Sequence, residues 1–296
     1  MANSSKKRIV IVSNSSIGLY KFRKELIDAL TKRYDVVLLV ATSEYYDYFK
    51  SLGCLVLIND FDSRGTSFFE ELKLIKYYNQ FVKKYKPSLV LTYTIKPNVY
   101  MGLITRKNNI PHIATITGLG SAINRSLRSQ ILLVLYRIAL NKSRYVFFQN
   151  MENKNYMLKK KIGINNGLMI SGSGVNTKEY DVMDYPSDKE VNLVFVGRIM
   201  KDKGIDFFLT AAEYFRKKSD SFKFHIVGPI IENKYEERIK ALEQNSVIIY
   251  HGYLDNLKTI YQLAHAIVLP SLHEGLSNVL LEAASSGRAI LASNIN

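Results

Sequence analysis

Cysteine is almost missing from this chain of 296 residues: Cys54 stands alone, so no disulfide can close within it. That fits a reducing, cytoplasmic setting, and Cys54 itself, in a predicted strand, reads as a core filler. Long apolar runs are missing too. The basic start, Met1 to Arg8, is followed by only four or five apolar residues, so neither a secretory leader nor a membrane span is expected there. There is no paired His or Cys set and no Asp-x-Asp in a suitable turn, so no metal site and no metal cofactor is expected. The dinucleotide fingerprint Gly-x-Gly-x-x-Gly is lacking after the first strand, where Asn14 to Gly18 holds one glycine. That argues against an NAD enzyme. No short repeat or low-complexity tract is present.

Acidic residues are scarce in one half only. Residues 1–180 hold 28 Lys+Arg against 11 Asp+Glu, whereas 181–296 hold 13 against 15. Between 96 and 161 there are 12 basic residues and Glu152 is the one acid. Such a field favours a polyanion: nucleic acid, an anionic lipid leaflet, or a pyrophosphate-bearing substrate. A solvated lysine-rich surface is the plainer reading.

What is present is a regular alternation of apolar runs and helical periods. Ile9 to Val12 within Arg8 to Ser13 reads as a strand buried on both faces, and Asp35 to Val40, Cys54 to Ile58, Ser88 to Thr92, Ile113 to Ile116 and Tyr145 to Phe148 read as further strands. Helical stretches separate most of them, notably 67–85 with Phe68, Leu72, Ile75, Tyr78 and Val82 in register. Pro97 to Arg106 reads as a further helix. After 181–190, which reads as a linker, the pattern restarts with Val191 to Val196. Connections too long for hairpins predict an α/β fold with two doubly wound parallel sheets, 1–180 and 191–296. Residues 126–141 are apolar nearly all round, with Arg125, Arg128, Arg137, Lys142 and Arg144 on and beside them. A helix buried in the domain is the first reading, and one lying at an anionic lipid interface is the second. The two can coexist.

The most informative stretch is His273-Glu274-Gly275-Leu276-Ser277-Asn278-Val279-Leu280-Leu281-Glu282. It follows Ala266 to Leu269, a strand stopped by Pro270, and leads into a helix ending near Gly287. Ser277 or Asn278 is the expected N-cap. The amides after the cap have no partner inside the helix and suit a phosphate or sugar hydroxyls. Asn278, Glu282, Ser285 and Ser286 should form one polar stripe, with Val279, Leu280 and Ala283 toward the sheet. Two glutamates thus flank an anion-ready helix end. A second constellation is Gly197-Arg198-Ile199-Met200-Lys201-Asp202-Lys203-Gly204, two cations on a loop after a strand, suited to clamping a diphosphate. A third is Asn14 to Gly18, a turn that offers amides at a helix start, with Gly18 open to a phosphate or acceptor.

The Glu274-x7-Glu282 spacing resembles that of the retaining glycosyltransferases of family 4, and Gly197-Arg198-x4-Lys203-Gly204 is similar to a second element of that family. Ser277 stands where many members have proline. Ser13-Asn14-Ser15-Ser16 with Leu19-Tyr20 and Phe22-Arg23, and Thr117-Gly118-Leu119-Gly120, resemble its capsule, O-antigen and bacillosamine-linked-sugar branch. The resemblance implies a GT-B architecture, two Rossmann-like domains facing a cleft, with 1–180 binding the acceptor and 191–296 the nucleotide sugar. The second domain would be incomplete, because members usually continue past the last strand. It implies donor contacts at Gly18, Gly197, Gly252, Tyr253, Leu254, Gly275, Leu276, Ser277, Asn278, Val279 and Glu282. Arg198, Lys203 and Glu274 would act in catalysis, the cations on the leaving diphosphate and Glu274 on the sugar. Thr117 and Gly118 would lie on the acceptor side. Thr117 occupies the place of a histidine found in many members, so that role is not carried over, and His112 reads as structural.

The implied activity is retaining, metal-independent transfer of a sugar from a nucleotide donor, a UDP-sugar, to a glycan or polyprenyl-diphosphate acceptor in capsule, lipopolysaccharide or similar assembly. No other cofactor is implied. With the basic half, this places the protein on the inner face of the cell membrane, peripherally, with no nucleic-acid partner. The competing readings are a sugar-nucleotide epimerase of the same architecture and an inactive transferase-like module that binds anions or membrane.

Overall fold

The structure is a computed structural model and describes residues 6–59, 68–119, 126–187 and 189–295. Gly120 and Arg125 lie outside them. The chain divides into two compact units, Met1–Ser173 and Gly174–Asn296.

In the first unit the order is β1 (Arg8–Ser13), α1 (Ser16–Thr31), β2 (Asp35–Val40), α2 (Tyr46–Ser51), β3 (Leu55–Ile58), α3 (Phe68–Tyr85) and β4 (Leu89–Tyr93). A π-helical turn, Pro97–Met101, then runs into α4 (Gly102–Lys107). β5 (His112–Ile116), α5 (Leu127–Leu140), β6 (Tyr145–Phe148), α6 (Met151–Lys159) and β7 (Gly167–Met169) follow. The seven strands pair in the order β3-β2-β1-β4-β5-β6-β7, all parallel, with Ile9 beside Val36 on one side and Leu89 on the other. Alternation explains the core. Ile9 and Ile11 pack with Leu19 and Ile27 of α1. Val10 and Val12 point the other way, onto Leu74, Tyr78, Phe81 and Val82 of α3. Each such burial contributes about 1.5–3 kcal/mol. Both faces are covered, which is why β1 is apolar from Ile9 to Val12 and β2 from Val36 to Val40.

A polar knot sits inside this unit. His112 lies between Thr92 Oγ1 at 2.7 Å from Nε2 and Ser143 Oγ at 2.8 Å from Nδ1. Thr92 gives its one hydroxyl proton to Asn98 Oδ1 at 2.6 Å, so Nε2 of His112 is the donor to Thr92. Asn98 in turn donates to the Thr115 carbonyl at 3.0 Å. Burial pushes the His112 imidazole down from 6.5 to about 3, as a structural histidine requires. Cys54 is buried just ahead of β3, and burial pushes its thiol up to about 11.

The α5 helix corrects one expectation. Ser129, Leu133, Tyr136, Ala139 and Leu140 are buried, but the opposite side, although apolar, is exposed. Apolar content predicted a helix enclosed on all sides; the sheet covers only one.

The second unit runs β8 (Val191–Val196), a 3-10 turn at Lys201–Lys203, α7 (Ile205–Arg216), β9 (Phe222–Val227), α8 (Glu236–Gln244), β10 (Ile249–Tyr250), α9 (Lys258–Leu263), β11 (Ala266–Leu269), α10 (Asn278–Ser285) and β12 (Ala289–Ala292). Its strands are parallel in the order β10-β9-β8-β11-β12. Phe195 packs with Phe208, Leu209 and Phe224 on one face. Val194 and Val196 pack with Ile260, Tyr261 and Ala283 on the other, where Val279 and Leu280 also lie as expected. His225 on β9 bridges His251 (Nδ1 to Nε2, 3.0 Å) and Asn192 of β8 (Nε2 to Oδ1, 3.1 Å). Burial, then the neighbouring His251 and Lys223, hold His225 down to about 4.

The stretch read as a linker is tied to this second unit. Tyr180 and Met183 join the Val194 cluster. The buried Arg288 donates to the carbonyls of Met183 and of Asp184, the latter at 2.9 Å. Ser285 Oγ donates to the Tyr180 carbonyl. Ser286 is fully buried, so the expected polar stripe of α10 meets protein along much of its length instead of water.

Candidate active site

In the second sheet the strand order reverses between β8 and β11. The carboxyl ends of two such strands are the usual ligand position in open α/β sheets. The loop after β8 is Gly197 to Gly204, and the loop after β11 is Pro270 to Ser277. They meet backbone to backbone. Gly204 has φ +70°, and a Cβ there would lie 1.8 Å from the Pro270 carbonyl oxygen. Leu272 N–H donates to the Asp202 carbonyl at 2.9 Å.

This contact brings together two side chains 71 residues apart. Lys203 Nζ is 2.5 Å from Glu274 Oε1, and both side chains are four-fifths buried. Ser271 Oγ, buried, donates to the same Oε1 at 2.8 Å. The pair adjusts the expected role of Lys203, whose charge is engaged by Glu274 at rest. Any phosphate reaching Lys203 competes with that carboxylate. Arg198, on the same loop, is exposed and forms no ion pair among the described residues. Glu282 sits one turn inside α10 and accepts from the fully buried Tyr261 hydroxyl at 2.7 Å. Burial, then the Glu282 charge, raises the Tyr261 phenol, which stays protonated and keeps donating.

Ser277 is the N-cap of α10, but its side chain makes no capping bond. The first-turn amides of Asn278, Val279 and Leu280 have no acceptor inside the helix and receive none from the Ser277 side chain, and they carry the partial positive charge of a helix start. Gly275 and the exposed Leu276 lead into this turn. The carboxyl ends of β8, β9 and β10 make a shelf of bare backbone. Gly197 N–H donates to the Val227 carbonyl, and Gly228 N–H to the Gly252 carbonyl at 2.7 Å. A Cβ on Gly228 would lie 1.9 Å from Gly197 O. Beyond the shelf, Tyr253 is exposed and donates to Asp255 at 2.8 Å, whereas Leu254 is partly buried against the core. Among the described residues no three His, Cys, Asp or Glu side chains gather as a metal-binding group.

Gly18, Thr117 and Gly118 belong to the first unit. Gly18 lies inside the first turn of α1, and its amide donates to the Ser15 side chain at 3.3 Å. Ser16 N–H likewise donates to Thr42 Oγ1 at 3.2 Å. Those two amides are engaged within the fold. Thr117 and Gly118 follow β5, with Thr117 exposed. Sequence reasoning missed Ser271 and Tyr261. A serine after Pro270 carries no pattern, and Tyr261 reads as an ordinary core position of a short helix.

Residues 190–296 match the family model for glycosyl transferases of group 1, and residues 8–150 match the model described as glycosyl transferase 4-like. The chain belongs to these glycosyltransferases. It is 26% identical over 306 residues to the N,N'-diacetylbacillosaminyl-diphospho-undecaprenol alpha-1,3-N-acetylgalactosaminyltransferase of Campylobacter jejuni, a match covering 97% of this chain and 80% of that one. The capsular polysaccharide biosynthesis glycosyltransferase CapM of Staphylococcus aureus is 20% identical, covering 78% of this chain and 65% of CapM. Among solved structures, a Rickettsia africae glycosyltransferase has a TM-score of 0.75 at 19% identity, covering 98% of this chain and 80% of that one. Anabaena HepE, solved with UDP and glucose, has a TM-score of 0.75 at 15% identity, covering 98% and 81%. These likenesses show that the glycosyltransferase has the GT-B fold.

Proposed function

We propose that this glycosyltransferase moves a sugar from a UDP-sugar to an acceptor carried on a polyprenyl diphosphate, in the assembly of a surface polysaccharide. The observation that carries the reading is the Lys203–Glu274 contact, which brings a cation and a carboxylate together at the switch point of the second sheet. Arg198 and the bare first turn of α10 supply further positive charge on the same two loops. In this reading the diphosphate takes Arg198 and Lys203, whose charge stabilises it as it departs. Glu274, released from Lys203, orients the sugar ring, and Glu282, held by Tyr261, receives the ribose hydroxyls. The shelf at Gly197 and Gly252 takes the base through backbone groups. Transfer proceeds with retention and without a metal, and Glu274 orients instead of forming a covalent intermediate. The name of the Campylobacter relative supports the acceptor class, and that of the Staphylococcus relative supports a surface-polysaccharide setting. The basic first half supports a peripheral position on an anionic membrane. No helix among the described residues is long and apolar enough to cross one.

The test is a donor screen with mass readout, using a polyprenyl-diphosphate sugar as acceptor. A mass gain of one sugar residue, lost in Arg198→Ala, is the expected result. Free epimerised nucleotide sugar formed without acceptor would replace this reading with the epimerase one.

A further inference from the structure

The exposed side of α5 is not scattered apolar surface. Leu127 is 78% exposed, Ile131 53%, Val134 50% and Ile138 42%. At 100° per residue these four fall within a roughly 60° arc, a single stripe along about 17 Å of helix. None of them packs on the core of the first unit, which is served by Leu133, Tyr136, Ala139 and Leu140 on the other side. Leaving four large aliphatic side chains in water forfeits burial that a partner would recover.

Cations frame the stripe. Arg128 and Arg137 are exposed on the same helix. At its C-terminal end an open cleft of about 530 Å³ is lined by Arg106, Lys142 and Arg144 together with Thr105 and Asn109. Arg106 Nη1 donates to the carbonyl of Ile138 at 2.5 Å, so the cleft adjoins the last residue of the stripe. No carboxylate lines the cleft, and none of its three cations forms an ion pair among the described residues. An apolar stripe with phosphate-seeking charge at its end matches a bilayer surface: acyl chains for the aliphatic side chains, headgroup phosphates for the cleft. Two other occupants fit worse. A second copy of the chain would oppose like charge to like charge. A nucleic acid would use the cations but leave the stripe in water.

We infer that α5 lies in the interface of an anionic membrane, with Leu127, Ile131, Val134 and Ile138 in the acyl boundary and a lipid phosphate in the Arg106–Lys142–Arg144 cleft. This deepens the peripheral-membrane part of the proposed function and is independent of the donor assignment. The topology gives the placement a use. α5 follows β5 and returns to the start of β6, so its first turn is at the strand-carboxyl edge, where Thr117 and Gly118 lie. A helix lying flat holds that edge at the membrane surface, where a lipid-linked acceptor presents its diphosphate.

The experiment is co-sedimentation of the full chain with phosphatidylcholine vesicles, with and without phosphatidylglycerol. Ile131→Asp/Val134→Asp tests the stripe and Lys142→Ser/Arg144→Ser tests the cleft. All four positions are exposed, and thermal melts verify that the variants fold. The wild type should bind only the anionic vesicles. The cleft variant should bind about 30-fold more weakly, from two charges near the surface, and the stripe variant should not bind at all. Wild-type binding that neither variant weakens would overturn this face while leaving the peripheral reading intact. No wild-type binding to either vesicle would overturn both. Dimers that Val134→Asp breaks without loss of vesicle binding would assign the stripe to a second copy. Binding to a DNA duplex in the absence of vesicle binding would assign the charge to nucleic acid.

Discussion

Replacing Gly204 with alanine adds one methyl group at the point where the two site loops touch. The added Cβ would sit 1.8 Å from the Pro270 carbonyl oxygen and 2.5 Å from its carbon, both backbone atoms that no rotamer change can move. The φ of +70° adds a left-handed cost of roughly 1–2 kcal/mol for a residue with a Cβ. Relieving the overlap means parting the loops, which strains the packing by about 1–3 kcal/mol. It also strips about 0.5–1.5 kcal/mol from the Leu272–Asp202 hydrogen bond. The sum is about 2.5–6.5 kcal/mol. Gly252 provides the control. Its φ is +66°, yet nothing lies within 4 Å of an added Cβ. Gly252→Ala should therefore cost only the left-handed term, about 1–2 kcal/mol. Urea unfolding of both variants measures the difference. Gly204→Ala should lower the midpoint several times as far and also abolish transfer, because parting the loops separates Lys203 from Glu274. Equal shifts for the two variants would refute the idea that close approach, and not φ alone, demands glycine at 204.

Three other outcomes are expected. Lys203→Met should lower kcat about 10²–10³-fold with the chain still folded, because it removes a cation from the departing diphosphate; a kcat within a few-fold of wild type contradicts its role. Tyr261→Phe removes a hydrogen bond to a charged group, so the second unit should lose about 1.5–3 kcal/mol and donor KM should rise; an unchanged KM would separate Glu282 from donor binding. His112 and His225 are depressed from 6.5 to about 3 and about 4. A depressed histidine stays neutral in the fold while the unfolded chain takes up a proton, so its contribution is complete above pH 6.5 and shrinks as pH falls toward the folded value. Between pH 7 and pH 5 each should withdraw about 2 kcal/mol, His112 from the first unit and His225 from the second, measured as urea midpoints against pH; flat midpoints over that range contradict both.

The central strands were legible because they are covered on both faces and carry unbroken apolar runs, as Val10, Ile11 and Val12 show. The short edge strand β7 was not, since Gly167–Met169 has neither length nor a distinct run of apolar residues. Nor was α6, whose nine residues are mostly polar. Pro97–Met101 was read as helix, and it is, but wound wider than α, a difference that residue types do not carry. The α5 helix was read as enclosed because composition reports how apolar a helix is and not how many of its sides find a neighbour. In the site, the loops carrying Arg198, Lys203 and Glu274 were readable from their places after strands. The contact between Lys203 and Glu274 was not. It depends on β8 and β11 lying side by side, with Ala266 beside Leu193, a long-range pairing that only the sheet order reveals. That the amide of Gly18 donates to the serine three residues earlier was not legible either, a local competition that a turn motif alone does not resolve.

The central claim is that the loops after β8 and β11 grip a nucleotide diphosphate. Calorimetric titration of the full chain with UDP tests it most directly, alongside Arg198→Ala and Lys203→Met. The account predicts saturable binding to the wild type that weakens at least ten-fold in each variant, about 1.4 kcal/mol or more. UDP bound equally by all three proteins, or by none of them, would contradict it.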